Sequence, residues 1–202
     1  MRFKLCVAML SLALLSSSSA FGAVITDAVK LAGNATAINL VEGGLADGVD
    51  AYTDRNHVLV DIPAPLIGSD LVQVSNSDKT SSPYEVSITT NLGLIYVGLD
   101  DRLTSQPLSW MNDSAYTGLP DGFLSTGTQI GIDEGNNGSV DQTFTLWAAL
   151  AGPGTYTLGK QDDGGSRNNY IILGSRTLIP EPSSVTILAL GLMGLISLIR
   201  RR

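Results

Sequence analysis

Residues 84–89 read Tyr-Glu-Val-Ser-Ile-Thr, and this stretch decides the fold. Tyr84, Val86 and Ile88 fall on one side of an extended chain, and Glu85, Ser87 and Thr89 on the other. That period of two marks a half-buried strand; a helix would scatter the same residues round its axis. The alternation returns downstream. Thr143, Thr145 and Trp147 oppose Phe144, Leu146 and Ala148, and Thr155 and Thr157 oppose Tyr156 and Leu158. Shorter apolar runs stand at residues 58–62, 71–74, 94–99 and 170–173. Turn-forming clusters separate them: Asn76-Ser77-Asp78, Gly135-Asn136-Asn137-Gly138, Gly152-Pro153-Gly154 and Asp162-Asp163-Gly164-Gly165. Many short strands joined by glycine-rich turns predict an all-β protein with a single β-sandwich or jelly-roll-like domain, its core at about residues 50–176. Before that core the pattern is weak. A short helix is allowed at residues 27–32 and a first strand at 37–41. Residues 112–127 form a long irregular stretch of the kind that carries binding residues on β scaffolds.

The ends of the chain differ from its middle. Of the 202 residues, the ends hold five of the 12 basic ones (Arg2, Lys4, Arg200, Arg201, Arg202). Residues 24–182 keep seven basic against all 19 acidic residues, a net charge of −12. A middle this acidic lacks the basic footprint of a nucleic-acid binder. The single cysteine, Cys6, lies in the first segment, so the middle has no thiol for a disulfide, a zinc site or a nucleophile.

Residues 1–23 have the layout of a secretory signal peptide. Arg2 and Lys4 precede an apolar run over residues 5–15, and small residues lead to a cleavage point after Ala23. The domain then spans residues 24–178. At the other end Pro180-Glu181-Pro182 is followed by residues 185–199, which carry no charge, and by Arg200, Arg201 and Arg202. As a helix those 15 uncharged residues reach roughly 22 Å at 1.5 Å per residue. That is a short transmembrane helix, extended by snorkelling arginines that stay on the cytoplasmic side. Residues 179–202, with the proline-flanked glutamate, apolar helix and arginine cluster in order, resemble the PEP-CTERM sorting tail. The resemblance implies handling by an exosortase, a membrane-embedded cysteine transpeptidase. Such an enzyme would cut near Pro180, Glu181 and Pro182 and leave the protein at the cell surface or outside it.

A second resemblance covers roughly residues 50–176. It is carried by Tyr52-Thr53-Asp54-Arg55, Leu66-Ile67-Gly68, Asn76-Ser77-Asp78-Lys79, Tyr96-Val97-Gly98-Leu99-Asp100-Asp101-Arg102 and Pro107-Leu108-Ser109-Trp110. Tyr156-Thr157-Leu158-Gly159 and Asn169-Tyr170-Ile171-Ile172 complete it. This array is similar to a β-sandwich module of bacterial secreted proteins that stands beside polysaccharide-degrading domains. No catalytic domain accompanies it here.

The residues that bear chemistry are few. His57 is the only histidine, and no Gly-x-Ser-x-Gly elbow is present, which argues against a serine hydrolase. Adjacent acids such as Asp100-Asp101 point to opposite faces of a strand and do not pair across a sugar. Aspartate outnumbers glutamate 15 to 4, a bias that suits oxygen-rich calcium loops. The best such loop runs from Asp133 to Asp141, with Asp133, Asn137 and Asp141 as candidate calcium ligands; a solvated hairpin turn is the plainer reading. Tyr52, Trp110 and Tyr116 are candidates to stack on a sugar ring, with Arg55 and Arg102 to orient its hydroxyls. The pairs Asp54-Arg55, Asp78-Lys79 and Asp101-Arg102 could orient sugar hydroxyls, but a buried ion-pair network joining strand ends is the favoured reading. No cofactor other than calcium is expected.

Together these readings predict an exported, non-enzymatic structural or adhesive component of the cell surface or exopolysaccharide matrix. The alternative is a carbohydrate-binding module, with or without calcium, and a secreted hydrolase stands third. The expected partners are the secretion machinery, an exosortase-type enzyme and exopolysaccharide. The expected route is export by the signal peptide and transient inner-membrane anchoring by the C-terminal helix, ending at the cell surface or in the medium.

Overall fold

The computed structural model describes residues 22–163 and 165–177. The signal-peptide reading up to Phe21, and the tail residues Pro180, Glu181, Pro182, Arg200, Arg201 and Arg202, lie outside the described residues. Within them no helix is long and apolar enough to cross a membrane. Among the described residues, ten strands form two antiparallel sheets packed as a sandwich. The smaller sheet has the order β1 (Ile25–Ala32), β5 (Glu85–Thr90), β9 (Gly154–Leu158). The larger runs β2 (Asn39–Val41), β4 (Asp70–Gln73), β10 (Ile171–Ser175), β6 (Gly93–Asp100), β8 (Gln142–Ala151), β7 (Leu124–Asp133), β3 (Val58–Val60).

The alternation at residues 84–89 does what its period requires. In β5, Val86, Ile88 and Thr90 are buried, while Glu85, Ser87 and Thr89 keep partial contact with solvent. The apolar runs of β4, β6 and β10 are buried along their whole length, so the middle of the larger sheet is covered on both faces. Tyr52, Tyr84, Tyr96, Tyr170, Phe123 and Phe144 fill the core, with Tyr84 and Tyr170 in ring contact at 6.0 Å.

Three local expectations change. Residues 27–32 are not helical; they belong to β1, which pairs with β5 from Ile25↔Thr90 to Ala32↔Glu85. A six-residue helix makes few internal bonds, whereas β5 offers a ladder along the whole segment, broken only by two register shifts. The register is set by Lys30, whose ammonium lies 2.8 Å from the buried Asp78 carboxylate, 3.1 Å from Asn34 Oδ1, and also donates to the Thr36 carbonyl. Turning Lys30 inward leaves Val29 and Leu31 outward and exposed. The first strand, allowed at 37–41, is limited to Asn39–Val41. The irregular stretch ends sooner than expected, because β7 begins at Leu124. Its register with β8 shifts between Ser125 and Gln129, around Gly127 at φ +65°, and that bulge erases the period-two signal.

Candidate functional site

The sugar-binding candidates divide between two places. The first is a polar knot among the loops that precede β10 and follow β4 and β6. Asp100, with no exposed surface, accepts from Arg102 Nε at 2.9 Å, Arg102 Nη2 at 2.6 Å, the Arg102 amide at 3.0 Å and the Asn168 amide at 2.8 Å. Burial alone would raise the Asp100 carboxyl, but these donors outweigh it and hold it below its usual range. Glu134 joins through Asn168 Nδ2 at 2.7 Å and lies 3.6 Å from Arg102. Asp54 accepts from Ser75 Oγ, the Asn76 and Ser77 amides and Arg55 Nη1. Burial there too works upward and is overcome by the hydrogen bonds, so Asp54 is held below its usual value. Lys79 is lowered first by burial and then by the charges of Arg55 and Arg102.

The pairing by sequence neighbours is therefore corrected. Arg102 binds Asp100, not Asp101, and Asp78 binds Lys30, not Lys79. Asp101 instead accepts from Gln129 and the hydroxyls of Thr143 and Thr145. Tyr52 is also corrected as a stacking residue. It is buried, its hydroxyl donates to the Asn169 carbonyl at 2.5 Å, and its ring meets the edge of His57. A side chain so enclosed offers no face to a ligand. Arg55 and Arg102 keep part of their surface open, but both hold carboxylates.

The second place is a groove of about 430 Å³ that brings Trp110 and Tyr116 together. A one-turn 3-10 segment, Ser109–Asn112, leads into α1 (Ser114–Thr117), and Asp113 caps α1 by accepting from the Ala115 and Tyr116 amides. This short turn projects Tyr116 across the groove to β5, where its hydroxyl donates to Glu85 Oε1 at 3.0 Å. Burial, then that bond to a carboxylate, pushes the Tyr116 hydroxyl up to about 12. Trp110 is only 6% exposed. Its Nε1 donates to the Lys160 carbonyl at 2.9 Å, and its ring meets Phe123 edge-on and Tyr170 at a tilt. Trp110 thus forms the floor and Tyr116 a wall. Gly159 makes the close approach possible: a Cβ there would lie 2.8 Å from Trp110 Cδ1 and 3.1 Å from Tyr116 Cε1.

Glu85, Gly159 and Lys160 were not singled out from the sequence. Glu85 is 31 positions from Tyr116 in the chain, and nothing local signals their meeting. The polar position of Glu85 in an alternating strand was the only available clue.

The turn from Asp133 to Asp141 joins β7 to β8. Asp133 Oδ2 accepts from the Gly138 amide at 2.5 Å, Asp141 Oδ2 from the Glu134 and Gly135 amides, and Asn137 Oδ1 from the Ser139 amide. Burial would raise Asp133, but backbone donors from the turn hold it low. The three proposed calcium ligands close the turn upon N–H donors, where a cation would need converging oxygens. Among the described residues no cluster of three or more acidic, histidine or cysteine side chains is placed to hold a metal.

Residues 178–202 match the PEP-CTERM protein-sorting motif. The motif implies an exported protein that exosortase sorts through a membrane-anchored signal. No curated protein matches the chain. Among solved structures, one described as the structure of a beta-glucuronidase from glycoside hydrolase family 2 is similar, with a TM-score of 0.57 and 16% identity. The likeness covers 74% of this chain and 14% of that one. At that identity the likeness concerns the fold, and it agrees with the β-sandwich described above.

Proposed function

We propose that this exported protein is a non-enzymatic, adhesive component of the cell surface, and that it holds matrix polysaccharide in the groove between Trp110, Tyr116 and Glu85. One observation carries the reading: an aromatic floor and wall stand beside a carboxylate and the Lys160 backbone, in a groove sized for one or two sugar rings. Apolar ring faces and fixed hydrogen-bonding groups are what pyranose recognition needs. A non-catalytic role is supported by the engagement of the groove's two carboxylates, Glu85 by the Tyr116 hydroxyl and Asp113 by the α1 cap. Residues 1–23 act as the export signal, and residues 185–199 anchor the tail until exosortase acts.

Retention by the host's exopolysaccharide tests this. The protein should co-sediment with it, and Tyr116→Ala should weaken retention about tenfold, roughly the 1–1.5 kcal/mol of one aromatic contact. Arg55→Ala should retain normally. Absence of retention, or a Tyr116→Ala protein that binds as well as its parent, overturns the groove. Binding that vanishes with chelator would instead favour calcium assistance.

A further inference from the structure

Asp70 opens β4 and is 4% exposed, yet none of the ion pairs among the described residues involves it. Its carboxylate is served by backbone amides: Val24 at 2.6 Å and Ile25 at 3.0 Å on Oδ2, Gly43 at 2.9 Å on Oδ1. A buried carboxylate held only by neutral donors is costly, and one cation beside it would offset much of that cost. The closest nitrogen, that of Val24, belongs to the peptide bond at which the leader reading places cleavage.

We propose that Asp70 is the receptor for the mature N-terminus: cutting the Ala23–Val24 bond creates an α-ammonium on Val24 that forms a buried ion pair with Asp70. The inference rests on the reading of residues 1–23 as an export signal. In the cut, the hydroxyl of water goes to the Ala23 carbonyl carbon, the C–N bond breaks, and the Val24 nitrogen takes water's proton and then the one that the new Ala23 carboxyl releases. An α-amine has an ordinary pKa of about 7.7–8.0, so it is charged at neutral pH even before Asp70 favours that form.

The surroundings are shaped for this terminus. Val24 is 3% exposed and Ile25 fully buried. A Cβ at Gly93 would fall 2.6 Å from Val24 Cγ1. One at Gly174, the register partner of Asp70, would fall 2.7 Å from Ile25 Cγ1 and 3.2 Å from Asp70 Oδ2. The Asn91 amide holds the Val24 carbonyl at 2.8 Å. An open groove of about 500 Å³ runs beside Asp70 and gives the added N–H bonds room and water; Glu42 and Arg176 also line it. While Gly22 and Ala23 remain attached, their carbonyls accept from Arg176 Nε and Asn91 Nδ2. Processing exchanges those exposed bonds for a buried charge pair.

The test has two parts. N-terminal sequencing of the exported protein should begin at Val24. A start at Met1 defeats both the export reading and this inference; any other processed start defeats this inference and leaves export standing. Next, chains running from Val24 or from Gly22 to Arg202, released from a fusion partner that leaves no residue and kept in mild detergent, are melted with Asp70 and with Asp70→Asn. The melting advantage of the Val24 start over the Gly22 start should be larger with Asp70 than with Asp70→Asn, by about 5–10 °C. A difference within about 1 °C overturns the ion pair. Should Asp70→Asn not fold, acylation of the Val24 α-amine at pH 7 decides: it should be at least tenfold slower in the folded chain than in urea, and equal rates overturn the proposal.

Discussion

Asp100→Asn separates a structural knot from a ligand site. Four donors converge on the buried Asp100 carboxylate, two from the Arg102 guanidinium and two from backbone amides. An amide keeps one acceptor oxygen and turns its NH₂ toward a guanidinium or an N–H. At least two charge-assisted bonds are lost, each worth roughly 1.5–3 kcal/mol, and breaking a buried pair of this kind costs about 3–5 kcal/mol. For a domain of this size that lowers the melting midpoint by roughly 6–20 °C. Arg55→Ala provides the contrast. Arg55 is exposed, and Asp54 keeps three other donors, so the cost is about 0–1 kcal/mol and under roughly 4 °C. Thermal melts followed by circular dichroism, with urea unfolding to check that the m-value is unchanged, measure both. An Asp100→Asn protein melting within about 2 °C of its parent, or an Arg55→Ala protein losing as much as Asp100→Asn, refutes the reasoning.

Acid should destabilise the protein in two stages. His57, Asp54 and Asp100 all titrate below their usual values in the fold, so the unfolded chain binds more protons and stability is lost as the pH is lowered. Melting should hold above about pH 6.5, sag as the unfolded-state histidine protonates, and drop steeply below about pH 4; a midpoint that rises on acidification contradicts the signs. Gly159→Ala drives a methyl to 2.8 Å from Trp110 and should cost about 1–3 kcal/mol while weakening polysaccharide retention, read by melting and co-sedimentation. Replacing Pro180, Glu181 and Pro182 by alanine should leave an unprocessed, membrane-retained form on an anti-protein blot of cell fractions, and normal processing would count against the tail's role.

The strands that were legible are those whose two faces meet different surroundings. β5 and β8 have one face in the core and one nearer water, so hydrophobicity recorded their period, and β4, β6 and β10 showed as apolar runs because both their faces are covered. β1 was misread because Lys30 points inward to Asp78 while Val29 and Leu31 point outward, which inverts the hydrophobic signal. β7 was missed because its first half is exposed and bulged at Gly127. The site suffered from a different limit. Trp110 and Tyr116 stand in two consecutive short helical turns and could be grouped by position, but Glu85 and Gly159 reach them only through strand pairing. Charge partners followed the same rule: Arg102 turns back to Asp100, and Lys30 reaches 48 positions to Asp78. Adjacency in sequence says little about which carboxylate a cation reaches in space.

Strand direction also orders the function. β10 begins beside Asn168 and Asn169 in the polar knot and ends at Gly174 and Ser175 beside Asp70. β5 begins at Glu85 in the groove and ends at Thr90, next to Asn91 and its bond to Val24. Each strand therefore spans the same interval, about 17–20 Å for five or six residues. At one end the first and last described segments meet, with Arg176 Nε 3.2 Å from the Gly22 carbonyl and the sorting tail starting one residue beyond Thr177. At the other end stand the Trp110–Tyr116 groove and the Asp54–Asp100 knot. Gly22 and Thr177, the described residues nearest the leader and the tail, thus lie at the end away from the groove. If the proposed groove binds polysaccharide, an uncut protein should retain it as well as the cut one. A groove that binds only after tail cleavage would overturn this expectation.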